Sequence, residues 1–312
     1  MDMKHNLKIS IIILGMFLLT QLIGLFIINF YIQDGNNLPY GFDQRDLNEQ
    51  NSVSFLASMI SSFVIAVFLI LILTKLKSVI FMRTWFFVVV CLALGLTLNA
   101  IFSLIKIPMA GILALAVGTI FSYFKVFKRN IIFHNVTELL IYPGIAAVFA
   151  NILNIFTLVF LILAIAVYDV WAVWHSGIMQ KMAKYQIETV GIFSGFFIPY
   201  ASKKIKEKIR FLKQKYKNKN IPGKIIKKNK IKVNLAILGW GDIVFPIISA
   251  GVILKSWGLI PALIVVLFSF IALLYLFLFA KKKKFYPAML YLSAGIFLGI
   301  LSGWLIKTFI SG

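Results

Sequence analysis

Long apolar runs, separated by short polar or basic breaks, dominate the chain. Nine such runs stand out, at residues 9–32, 53–74, 84–105, 107–124, 131–150, 152–176, 233–254, 258–280 and 285–306. Most are close to the ~20 residues a helix needs to cross roughly 30 Å of hydrocarbon. The third and fourth runs part only around Lys106-Ile107-Pro108, the fifth and sixth around Asn151 and Asn154. The pattern predicts an all-α, polytopic membrane protein of nine transmembrane helices. The first run is too long for a signal-peptide core and has no clear small-residue cleavage site, so it reads as a retained helix.

Composition agrees. The chain is 61% hydrophobic with a mean hydropathy of +0.95, far from a soluble domain. The formal net charge of +22 would suggest nucleic acid in a soluble protein. Here the basic residues flank apolar runs, which points to anionic lipid and not to nucleic acid. One cysteine, Cys91, excludes an intrachain disulfide. Three histidines without a Cys/His cluster argue against a zinc site.

The lysines and arginines also set orientation. With the N-terminus in the cytoplasm, that side receives Lys4, Lys8, Lys75, Lys77, Arg83, Lys125, Lys128, Arg129, the whole 181–232 loop and Lys281 to Lys284. The outer side receives only Arg45, Lys106, Lys255 and Lys307. The asymmetry predicts an inside N-terminus and an outside C-terminus. Three parts follow: residues 1–180 with six helices, a basic cytoplasmic loop at 181–232, and residues 233–312 with three helices. Within the loop, the apolar stretch Val190 to Tyr200 is too short to span and carries an internal Ser-Gly, so it reads as interfacial or re-entrant. The lysine-rich 202–232 reads as a solvated segment held near anionic lipid.

Two acids break the charge pattern. Asp169 follows Tyr168 in the sixth run, and Asp242 closes Gly239-Trp240-Gly241-Asp242 in the seventh. A carboxylate at membrane depth is costly and marks a functional site by default. Asp169 lies twelve residues before Lys181 and Asp242 ten after Lys232. As continuous antiparallel helices these offsets are roughly 18 and 15 Å, so the acids reach similar depth. Two carboxyl groups sharing one proton are the machinery of aspartic proteolysis. The glycines beside Trp240 remove side chains next to Asp242 and admit another backbone. Pro287-Ala288-Met289 opens the ninth run, where a proline fits any helix start. Pro261-Ala262-Leu263 in the eighth run is a similar tripeptide.

Together, Tyr-Asp in the sixth span, Gly-x-Gly-Asp in the seventh and a Pro-Ala-Leu-like element opening the ninth resemble the presenilin and signal peptide peptidase family of intramembrane aspartyl proteases. The run Gly241 to Pro246 is similar to signal peptide peptidase and to archaeal presenilin-like proteins. The resemblance implies that Asp169 and Asp242 are the catalytic pair and that Pro287, Ala288 and Met289 form the active-site tripeptide, with Met289 in place of leucine. It implies supporting or substrate-binding positions at Tyr168, Gly239, Trp240 and Gly241, with transmembrane peptide or protein substrates. No metal, organic cofactor or obligatory accessory subunit is expected. The basic loop is cytoplasmic as in presenilins, which favours substrates whose N-terminus lies outside.

Two other functions fit part of the pattern. Intramembrane acids on glycine-broken helices also mark ion sites in secondary transporters and channels. A prepilin-peptidase-like aspartyl protease also uses Gly-x-Gly-Asp, though nine spans and the Tyr-Asp and Pro-Ala-Met elements suit it less. Glu138 in the fifth run reads as a structural hydrogen-bonding or partly hydrated residue, and His175 as an interfacial residue beside Trp171 and Trp174. Gly295, Gly299 and Gly303 predict a close helix-packing face.

Overall fold

The computed structural model describes residues 7–33, 36–42, 79–128, 130–176, 194–200, 234–279 and 286–311, with Gly191 and scattered positions between 54 and 72. Half of the predicted 53–74 span and all of 202–232 fall outside the described residues. Eight helices long and apolar enough to cross a membrane are present among the described residues. They are α1 (Leu7–Ile32), α2 (Val79–Leu104), α3 (Ala110–Phe127), α4 (Ile131–Ile152), α5 (Ile155–Val170), α6 (Trp240–Trp257), α7 (Leu259–Phe279) and α8 (Ala288–Ser311).

The two shortest breaks hold. Between α2 and α3 the chain reverses through Lys106 and Met109, both at positive φ. Between α4 and α5, Asn154 accepts from the Thr157 N–H at 2.8 Å while the Thr157 hydroxyl accepts from the Asn154 N–H at 3.0 Å. This reciprocal cap satisfies two donors that a helix start otherwise leaves open. Asn130 starts α4 by accepting from the Ile132 and Phe133 N–H groups.

α6 lies at the centre, packed against α1, α4, α5, α7 and α8. Its run from Pro246 to Leu254 is buried without a break, as expected of a helix surrounded by others. α7 and α8 form the most extensive pair, with α2 and α3. The glycine face predicted on α8 makes that contact. A Cβ at Gly295 would meet Ala272 Cβ at 2.7 Å and the Phe268 carbonyl oxygen at 2.8 Å, and one at Gly299 would meet Val265 Cα at 2.8 Å. Close approach of backbones is what small residues supply in a bilayer.

Two expectations are overturned. The predicted helix start at 233 is a strand, β2 (Asn234–Gly239), and the apolar stretch ending at Tyr200 supplies its partner, β1 (Gly195–Tyr200). They pair antiparallel, with Gly195 opposite Gly239 and Tyr200 opposite Asn234. The seventh helix therefore begins at Trp240. Likewise the sixth run is not one α-helix to residue 176: α5 ends at Val170 and a π-helical turn, Trp171–Ser176, follows. Backbone at membrane depth must find its hydrogen bonds within the protein, which here means a ladder between two segments far apart in sequence.

Candidate active site

Each aspartate meets a helix N-terminus. Gly239 is the N-cap of α6, so Trp240, Gly241 and Asp242 are its first three helical residues. The Asp242 carboxyl folds back beside the N-cap residue Gly239. A residue at the third helical position commonly turns back on its cap in this way. The contact also explains Gly239, because a Cβ there would stand 3.3 Å from Asp242 Oδ2. The first turn of a helix carries partial positive charge, which suits a carboxylate.

Asp169 closes a different helix. It is buried near the end of α5, with 5% of its surface exposed, and Oδ2 accepts from the Met289 N–H at 3.0 Å. That N–H belongs to the first turn of α8 and has no partner within its own helix. The tripeptide thus contributes backbone. Pro287 precedes the helix and has no N–H to offer, Ala288 begins it, and Met289 presents the donor. Met289 is 4% exposed, so its side chain packs in the core while its N–H faces the acid.

The two carboxyl groups lie within electrostatic reach of one another. α6 and α8 both pack on α5, which brings two helix starts to the end of a third. The path to Asp242 is not the continuous helix read from the sequence. Six residues before Trp240 are extended, at ~3.3 Å per residue instead of 1.5 Å, and Asp242 stands at a helix start.

The other predicted positions surround this centre. Tyr168 is half-buried and its ring lies 6.2 Å from that of Trp171. Trp240 is exposed, with its ring 6.1 Å from Phe245. Gly241 is half-buried in the same turn. His175 is exposed in the π-helical turn. Pro261 stands elsewhere: it packs against Gly303, fifteen residues along α8 from Ala288, which is roughly 22 Å by helical rise.

A polar cluster beside the strands was not foreseen. Lys125, assigned to the cytoplasmic flank by charge counting, is buried in α3 and pairs with Glu138 of α4 at 2.6 Å. Charge counting takes a lysine near a helix end as a flank whether it points to water or inward. Glu138 is buried and hydrogen-bonded, with 1% of its side chain exposed. The signal available beforehand was a lysine and a glutamate in adjacent apolar runs. Among the described residues no group of His, Cys, Asp and Glu has the arrangement of a metal site.

This fold and this pair of acids define a class, the membrane-embedded aspartyl protease. The sequence matches the family described as signal-peptide peptidase, presenilin aspartyl protease, over residues 14–309. The chain belongs to that family and is an intramembrane aspartic protease. Two solved structures of a presenilin family intramembrane aspartate protease share its fold. One, in a C222 crystal form, is 17% identical with a TM-score of 0.58, covering 95% of this chain and 99% of the other. The second, in a P2 form, is 18% identical with a TM-score of 0.55, covering 94% and 96%. No curated protein matches this chain in sequence.

Proposed function

We propose that Asp169 and Asp242 are the catalytic pair of this protease, and that it hydrolyses peptide bonds within transmembrane segments of membrane proteins or signal peptides. The observation that carries this is the meeting of the two acids at two helix N-termini, Asp169 held by the Met289 N–H and Asp242 standing in the first turn of α6. One carboxylate takes a proton from a water held between the pair, and that water attacks the scissile carbonyl carbon. The other, protonated, hydrogen-bonds the carbonyl oxygen as negative charge develops there. Proton return to the leaving nitrogen completes the cleavage. Two close carboxyl groups in a medium of low dielectric share a single negative charge, so the division of labour comes from proximity.

Substrate helices hide their carbonyls in internal hydrogen bonds and must unwind to be cut. The glycines at 239 and 241 leave room for an extended backbone beside Asp242, and the backbone at 287–289 offers groups with which it can pair. Tyr168 and Trp240 border that space. Neither a metal nor an organic cofactor enters this chemistry. The chain divides at 1–180, 181–232 and 233–312, with an inside N-terminus and basic loop and an outside C-terminus. Removing Lys125 from the flanking charges leaves the asymmetry intact. Substrates with an outside N-terminus follow from this orientation, and no accessory subunit is required.

The decisive experiment uses purified protein and a transmembrane peptide. Asp169→Asn and Asp242→Asn each preserve shape but cannot exchange the proton, so each alone reduces cleavage to background. The double variant is no worse, because the acids act as a unit. Substantial cleavage by the folded double variant would sink the assignment. Orientation is checked separately with accessibility tags in 202–232 and at the C-terminus, and an outside basic loop would reverse it.

A further inference from the structure

We propose that the buried Lys125–His134–Glu138 cluster is a positioning device that holds β1, and through it β2 and Asp242, in place before substrate arrives. The inference rests on the assignment of Asp242 to the catalytic pair.

One oxygen organises the cluster. Glu138 Oε1 accepts from Lys125 Nζ at 2.6 Å and from the Gly195 N–H at 3.4 Å, and lies 3.3 Å from His134 Nε2. His134 Nε2 stands 2.9 Å from the Gly195 carbonyl oxygen and Nδ1 stands 3.2 Å from Lys125 Nζ. A neutral imidazole with its proton on Nε2 satisfies both contacts, donating to the carbonyl and accepting from the ammonium. Gly195 is thus gripped at both its N–H and its C=O. Its φ of 136° lies where a side chain is strained. Two residues on, Asn135 repeats the grip: Nδ2 donates to the Phe197 carbonyl at 3.0 Å and Oδ1 accepts from the Phe197 N–H at 3.2 Å. Alternate residues of a strand present their backbone groups to the same edge, so α4 covers the edge of β1 that β2 does not.

Stability alone is a poor reason for this arrangement. Replacing a buried ion pair by well-packed apolar residues is often neutral or stabilising. What an apolar pair cannot do is fix a strand along its length, because van der Waals packing lacks the direction of a hydrogen bond. The grip is transmitted over a short path. Gly195 stands opposite Gly239, and the next pair in the register, Phe196 and Leu238, carries the ladder; Gly239 in turn caps α6 beside the Asp242 carboxyl. Glu138 and Trp240 line one cavity, so the cluster and the catalytic turn are neighbours in space as well as along this path.

The test compares Glu138→Gln with Lys125→Met combined with Glu138→Leu. Glutamine keeps an acceptor for the Gly195 N–H, whereas the double apolar variant keeps the packing, removes that acceptor and leaves His134 without its lysine and glutamate partners. For the purified double variant we expect a thermal midpoint close to wild type, KM changed by less than about twofold and kcat reduced by about tenfold or more, since sub-ångström misplacement of reacting groups is costly. Glu138→Gln recovers most of that loss. In the absence of substrate, amide hydrogen exchange at Gly195, Phe197 and Gly239 accelerates in the double variant, while that of α7 and α8 stays unchanged. Should the double variant not fold, Asn135→Ala probes the second grip with the same expected pattern. A folded variant with wild-type kcat, or one whose strand amides exchange at the wild-type rate, would overturn the proposal. Cleavage by the Asp169→Asn and Asp242→Asn controls would overturn the dyad instead, with the strand's exchange still deciding the cluster.

Discussion

α8 and the β1–β2 pair deliver the two halves of the site by different physics. α8 is placed by close apolar packing: Gly295 and Gly299 seat it on the backbone and small side chains of α7. β1 is placed by hydrogen bonds that Glu138 accepts and that His134 and Asn135 make to its backbone. The contrast follows from what each element has to satisfy. A helix meets its own backbone hydrogen bonds, so in a bilayer only shape is left to fix it. A strand pair leaves an open edge on each side, and at membrane depth that edge needs protein partners. Asp169 then depends on a helix start fixed by shape, and Asp242 on one fixed in addition by a polar chain.

The sharpest way to break the comparison is to lift α8 from α7. Gly295→Leu forces a side chain against the Phe268 carbonyl and Ala272, and overpacking of this kind costs ~1–3 kcal/mol. We expect a lower thermal midpoint and a loss of cleavage of about a hundredfold, because the Met289 N–H moves away from Asp169. Wild-type activity in the folded variant would show that α8's seat does not govern the site.

On the other side, Gly239→Ala is a smaller perturbation. The new Cβ, 3.3 Å from Asp242 Oδ2, pushes the carboxyl by a few tenths of an ångström without touching the core. Cleavage should fall by roughly five- to fiftyfold on the scale set by misplacement of reacting groups, with the thermal midpoint within a few degrees of wild type. A fall in midpoint without a fall in kcat would assign Gly239 to folding only.

The mildest test is Met289→Leu. The swap conserves volume and typically costs under ~1.5 kcal/mol, and the contact with Asp169 is made by backbone. Cleavage should stay within about twofold of wild type. A large loss would mean that the methionine side chain, and not its N–H, carries the role of the third tripeptide position.

Much of this architecture was legible beforehand, for identifiable reasons. Apolar runs of spanning length fix helices in a bilayer because no other unpaired backbone is tolerated there. Asp169 and Asp242 stood out because charge is rare at that depth. Their company of Tyr168, the glycines and Pro287 pointed to the right family. The misreadings share one cause: each concerned a segment whose state depends on a partner remote in sequence. Residues 234–239 look like the opening of a helix until β1 is beside them. Lys125 reads as one more flanking charge, and only the fold shows its partner, Glu138, thirteen residues away on the next helix.

The sequence by itself therefore determined the solvent of this protein, the position of nearly every crossing among the described residues and the identity of the two acids, because all three follow from local hydropathy and charge. Tertiary structure decided which of two similar tripeptides meets Asp169, where the seventh helix begins and what holds the strand beside Asp242. Those depend on the approach of helix starts and strand edges from distant parts of the chain, and a hydrogen bond between such partners leaves no periodic trace in either segment.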